Sequence, residues 1–142
     1  MKVRDVMTGS VDWASPETPV VKVAQLMKNV NVGSIPICSD NKLVGLVTDR
    51  DIVLKVVAVG GNINNVSVKD IMSTNIVSVS SDQDVHEAAD LMSKYQIRRL
   101  PVMDQGKLVG IVAIGDLAVE SIHVDEAGEA LSDISQGAHH MN

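Results

Sequence analysis

The chain has 142 residues, a net charge of −6 and one cysteine, Cys38. That length sets one ordinary domain or two very small units sharing a core, and the acidity argues against general nucleic-acid binding and against an anionic membrane surface. One thiol excludes an intrachain disulfide and a thiolate zinc site, and with no signal-peptide core and no apolar run near about 18 residues the expectation is a soluble, cytoplasmic protein with no membrane partner.

Read from the N-terminus, residues 3–7 form a short apolar element, and a brief strand is predicted around residues 10–14. A helix follows, with Thr18 as its expected cap, Pro19 at its first position, and an inward face of Val20, Val23, Ala24, Met27 and Val30. Next comes a predicted β-hairpin: residues 35–38, a turn at Ser39-Asp40-Asn41, then residues 43–47. Pro36 cannot donate to a ladder, so it is expected at a strand start or an edge, as is Pro101 further on. A last helix starts at Asp49, and Gly60 to Asn65 reads as a linker by composition.

From residue 68 the pattern begins again. Val3-Arg4-Asp5-Val6-Met7 matches Val68-Lys69-Asp70-Ile71-Met72, and 70 − 5 gives an offset of 65. The same offset aligns Ala24-Gln25-Leu26-Met27 with Ala89-Asp90-Leu91-Met92, Ile35-Pro36-Ile37 with Leu100-Pro101-Val102, and Lys42-Leu43-Val44-Gly45 with Lys107-Leu108-Val109-Gly110. No gap is needed from about residue 3 to residue 54, which identifies a duplication. The second helix face is Val85, Ala88, Ala89, Met92 and Tyr95, and its last helix starts at Ile114. The expected organisation is a first motif over 1–59, a linker over 60–67, a second motif over 68–122 and a tail over 123–142. A unit of about 50 residues buries little surface alone, so the two are expected to pack sheet to sheet about a pseudo-twofold axis, leaving a cleft lined from both sides. In the tail, Ile122, Val124, Ala130, Leu131 and Ile134 are expected to add a turn or two of helix, with fraying from Gly137.

The stretch Gly45-Leu46-Val47-Thr48-Asp49-Arg50-Asp51 runs from a strand into a helix start, where backbone N–H groups offer a place for an anion. Thr48-x-x-Asp51 also has the form of a capping box, which accounts for both residues without a ligand. The second copy keeps the acid, Asp116, but has Ala113 in place of the hydroxyl. Arg98-Arg99 reads either as a solvent-facing strand edge or as a phosphate clamp, for which guanidinium is well shaped. The histidines have no metal-ligand spacing, and no nucleophile elbow, P-loop or dinucleotide fingerprint is present, so neither a metal site nor an enzyme is expected.

In order and spacing, these motifs resemble those of the tandem cystathionine-β-synthase (CBS) domain pair, or Bateman module. The matching features are the Asp-x-Met starts, Ser15-Pro16-Glu17-Thr18-Pro19-Val20, the strands at Pro36 and Pro101, and above all Gly45-x-x-Thr48-x-x-Asp51 and Gly110-x-x-Ala113-x-x-Asp116. The likeness covers residues 2 to 120 and extends to small stand-alone bacterial two-CBS proteins. It implies an α/β (α+β) fold of two CBS motifs, each a small sheet packed with two helices. It also implies regulatory binding of an adenosyl ligand (AMP, ADP, ATP or an S-adenosylmethionine relative) between the motifs, with no resident cofactor.

The residues this implies are Asp51 and Asp116 on ribose, Thr48 on ribose or phosphate with Arg50 beside it, and Val11, Trp13, Ile35, Pro36, Val47 and Pro101 around adenine. Arg98 and Arg99 would reach phosphate. Trp13 would either stack on the base or fill the pocket. The expected protein is a homodimeric metabolite or energy sensor whose output passes to a separate effector protein. The rival is a dimeric adaptor with a vestigial cleft.

Overall fold

The computed structural model describes residues 1–118 and Ile134. Apart from Ile134, which is helical and buried, the tail expected from residue 123 lies outside the described residues. The fold is α+β, with small sheets carrying short helices. Two compact units are present, and they are offset from the repeat boundaries. One is Asp12–Ile76; the other joins Met1–Val11 to the chain from Val77 onward. The offset has a simple origin. The lead segment of each repeat packs on the helix and hairpin of the other repeat.

In the first of these units, α1 (Val20–Val30) buries Val20, Val23 and Met27, while Val30 at its end is exposed. Its start differs from expectation. Pro19 is itself the N-cap, and the Thr18 hydroxyl accepts from the Ser15 N–H at 3.2 Å. The helix needs no side-chain cap because its orphan Val20 N–H is taken by the Val66 carbonyl at 2.8 Å. Asn31 ends the helix in the left-handed conformation, φ 56°.

Strands β1 (Ser34–Ser39) and β2 (Lys42–Thr48) form an antiparallel hairpin with a bulge at Ile37/Cys38. Asp40 and Asn41 both have positive φ, the backbone that matches a two-residue turn to the twist of its strands. The chain then enters α2 (Asp49–Ile52), which widens into a π-helical stretch over Val53–Val57. After the Gly60–Asn65 segment, Val68 inserts fully into the core with Val23, Ile35, Ile37, Val47 and Val56. Ser73 and Leu46 exchange backbone hydrogen bonds at 2.9 Å in each direction.

The second unit repeats this arrangement. Here β3 (Val79–Ser80) is long enough to form a strand and pairs in parallel with β4 (Arg99–Asp104), which pairs antiparallel with β5 (Lys107–Ala113). Between them α3 (Val85–Tyr95) buries Val85, Ala88, Ala89 and Met92 and starts on Asp84, whose carboxylate accepts from the His86 N–H at 2.8 Å. Tyr95 is exposed rather than inward, under the Lys94 ammonium. The turn residues Gln105 and Gly106 again have positive φ, and α4 (Ile114–Ala118) follows β5. Val3, from the first lead segment, completes this core beside Leu100, Val102 and Val112.

Pro36 sits on an edge, as expected, because β1 belongs to a two-stranded sheet; Pro101 sits neither at a strand start nor at an edge. Pro36 lies within β1, where its carbonyl accepts from Ala14 N–H, so its missing donor faces away from β2. Pro101 lies inside the central strand of its sheet, one residue before pairing with the two-residue β3 begins at Val102. The shortness of β3 makes Pro101 tolerable.

The paired lead segments also explain two motif residues. A Cβ on Gly45 would lie 2.9 Å from Met72 Cγ, and one on Gly110 would lie 2.7 Å from Met7 Sδ and 2.8 Å from the Thr8 carbonyl. Each Asp-x-Met methionine thus lies flat on a strand glycine.

Candidate functional site

The corner at the end of β2 is built by reciprocal bonds. Asp51 N–H donates to Thr48 Oγ1 at 3.1 Å, and Thr48 N–H donates to Asp51 Oδ2 at 2.9 Å. Thr48 has extended backbone, φ −115° and ψ 162°, as an N-cap requires, so the capping box is formed in full. Lys55, which the sequence reading passed over, lies one turn on. Its ammonium is 3.2 Å from Asp51 Oδ1 and donates to the Ile71 carbonyl at 2.9 Å. The signal for it was present: an acid four residues before a lysine in a helix.

Asp51 is 18% exposed, so its carboxylate is sheltered but not sealed. An ionised carboxylate has about four acceptor positions, and Thr48 N–H and Lys55 use one on each oxygen. Among the described residues one acceptor position on each oxygen is left.

Arg50 is exposed on the same turn. Asp49 N–H donates to the Gly33 carbonyl at 2.9 Å, and a Cβ on Gly33 would lie 3.1 Å from Asp49 Oδ2. The second repeat has Arg98 at this position, facing Ile114. Ile35 and Val47 oppose each other across the hairpin and belong to the unit's core, so what they expose to a ligand is not side chain. Pro36 is buried with them. Trp13 is 54% exposed: the lone tryptophan is not a core anchor. Cys38 is buried, and burial pushes its thiol above its ordinary value.

In the second unit the corner is simpler. Ala113 N–H donates to Asp116 Oδ2 at 2.7 Å, so half of the capping box survives without the hydroxyl. The retained acid therefore has a structural partner after all, and its presence alone does not point to a ligand. Among the described residues no lysine or arginine pairs with Asp116, and Gly115 stands where Arg50 does in the first repeat. Arg98 is exposed and its carbonyl accepts from Ile114 N–H at 2.9 Å; Arg99 opens β4 opposite Ala113. Pro101 is buried and Val11 half-buried. Thr48, Arg50, Asp51 and Lys55 are thus assembled in one unit, and Arg98, Arg99 and Asp116 belong to the other. Among the described residues no group of three or more His, Cys, Asp or Glu side chains is placed to hold a metal ion.

A duplicated α+β unit, each copy ending its hairpin in a carboxylate-capped helix, defines a class of small paired modules. The model of the CBS domain matches residues 3–58 and 68–123, and the chain belongs to that family. It is 45% identical over 133 residues to the CBS domain-containing protein YhcV of Bacillus subtilis, covering 94% of each chain. The crystal structure of Hypoxic Response Protein I with two coordinated zinc ions matches with a TM-score of 0.78 and 33% identity, over 84% of this chain and 98% of that one. The CBS domain pair of MJ0100, in complex with 5′-methylthioadenosine and S-adenosyl-L-methionine, matches with a TM-score of 0.74 and 30% identity, over 84% and 94%. No described helix is long and apolar enough to cross a membrane.

Proposed function

We propose that this chain is a regulatory module, not an enzyme, which binds an adenosyl ligand (AMP, ADP, ATP or an S-adenosylmethionine-like compound) at the Thr48–Asp51 corner. The observation that carries this reading is the state of Asp51. Its carboxylate is fixed by Thr48 N–H and Lys55 and keeps one acceptor position on each oxygen. A ribose 2′,3′-diol brings two O–H donors side by side, which is the complement of that arrangement. Capping and ribose binding use different lone pairs, so one residue serves both. The adenosyl complex of the similar MJ0100 pair supports the same ligand class.

The ligand acts by binding one arrangement of the protein more tightly than another, since only a difference in affinity shifts an equilibrium. The module works as a homodimer and passes its signal to a separate effector protein. The apolar side chains of Val53, Leu54, Val57 and Val59, all exposed on or just after the last helix of the first repeat, support association through that face.

The test is Asp51→Asn in a calorimetric titration with AMP, ADP, ATP, S-adenosylmethionine and NADH. Asparagine keeps an acceptor for Thr48 N–H, so the melting temperature stays close to wild type while affinity drops at least about tenfold, the cost of one lost charged hydrogen bond. If none of these compounds binds the wild-type protein at millimolar concentration, the sensor reading is wrong and a dimeric adaptor is the better account.

A further inference from the structure

Resting on that reading of the corner as a ribose site, we propose that Lys55 makes it selective for phosphorylated adenosyl ligands over uncharged ones. An ammonium carries three N–H donors. Lys55 places one on Asp51 Oδ1 at 3.2 Å and one on the Ile71 carbonyl at 2.9 Å, and the third has no partner among the described residues.

A lysine paired only with an acid one turn away on a surface helix is loosely held and contributes little. Here the second bond changes that, because Ile71 is itself a core residue of the same unit and its carbonyl is a fixed point. The side chain is 49% exposed, so the charge is anchored at the rim without being buried.

The charge balance follows from this anchoring. At the first-repeat corner Asp49 and Asp51 stand against Arg50 and Lys55, and the formal sum is zero. At the second-repeat corner the corresponding residues are Ile114, Gly115 and Asp116, and the sequence places Glu120 at the position equivalent to Lys55. An anionic phosphate ester approaching Asp51 meets a neutralised carboxylate and an ammonium with a donor to spare. Approaching Asp116, it meets a carboxylate with no basic partner among the described residues. The anchored ammonium therefore favours a phosphorylated ligand at the first-repeat corner.

The experiment is calorimetric titration of the full chain with AMP and with adenosine, on wild type, K55E and K55R. K55E installs the residue type of the second repeat and reverses the charge. The wild type is expected to prefer AMP. K55E is expected to lose about tenfold more affinity for AMP than for adenosine, as reversal of one partly solvated charge at several ångströms implies. K55R is expected to keep the preference, and added salt to shrink it in the wild type. Equal loss of both ligands in K55E would show a structural tie and overturn the proposal, as would a wild-type preference that K55E leaves untouched. Wild-type protein that binds neither compound removes the ribose-site reading itself, and the proposal with it; binding of both with no preference removes only the proposal.

Discussion

At the scale of single residues, the corner shows one carboxylate meeting several demands. Asp51 closes the cap through Oδ2 and anchors Lys55 through Oδ1. Gly45 meets a different demand: its strand must let Met72 lie directly on the backbone. Gly45→Ala forces Met72 out of that place, and overpacking of this kind costs about 1–3 kcal/mol. A guanidinium melt should show that loss as a lower midpoint with an unchanged slope; a midpoint equal to wild type would mean that Met72 moves freely. Part of this was legible beforehand. Thr48 and Asp51 stand three apart before an apolar helical run, a spacing that reads as a cap on local grounds alone. Lys55 was passed over because its second partner, the Ile71 carbonyl, is 16 residues away and nothing local announces it. Trp13 is half-exposed, where a large apolar residue is ordinarily buried, and no local feature of the sequence announces that.

At the scale of elements, the hairpins were the most legible parts. Asp40, Asn41 and Gly106 are residue types that accept positive φ, and both turns form where those residues stand, with Gln105 taking the same backbone without that preference. Helix starts were less so. Thr18 has the right hydroxyl, but Val20 N–H is satisfied by the Val66 carbonyl, so the hydroxyl serves the preceding turn. The helical ends Val30 and Tyr95 continue the apolar period and yet lie exposed, because the period says nothing of where a core stops.

The last helix of the first repeat bears its own prediction. Val53, Leu54 and Val57 are exposed along its π-helical stretch, with Val57 60% exposed. A charge there opposes any association through this face while leaving the unit's core intact. Val57→Glu should convert the proposed dimer to a monomer in sedimentation velocity at unchanged helix content by circular dichroism. A Val57→Glu protein that sediments as a dimer would place the interface elsewhere.

At the scale of the whole molecule, the duplication was plain from a gapless offset, but the exchange of lead segments was not. Val3 and Val68 occupy equivalent places in near-identical local sequences, so no local preference distinguishes packing on one repeat from packing on the other. Only the tertiary bonds decide: Val3 N–H to the Gln83 carbonyl, and Val68 N–H to the Thr18 carbonyl, each at 2.9 Å. Removing residues 1–8 should therefore loosen the distant repeat, not the adjacent one. Hydrogen exchange is expected to quicken in β4 and β5, which lose Val3 and Met7, and to stay slow in β1 and β2. Faster exchange in β1 and β2 alone would contradict the exchange of segments.

Because one unit is continuous and the other is not, they cannot be completed together on the ribosome. Asp12–Ile76 has all its parts once residue 76 is clear of the exit tunnel. Met1–Val11 must wait until residue 113 has been made, 102 residues after residue 11. At ordinary synthesis rates that is roughly 5–20 seconds in which Val3 and Met7 have no core to enter. Met1–Val11 is thus among the last segments to be locked in place, and a protease or chaperone meeting a half-made chain finds its handle there.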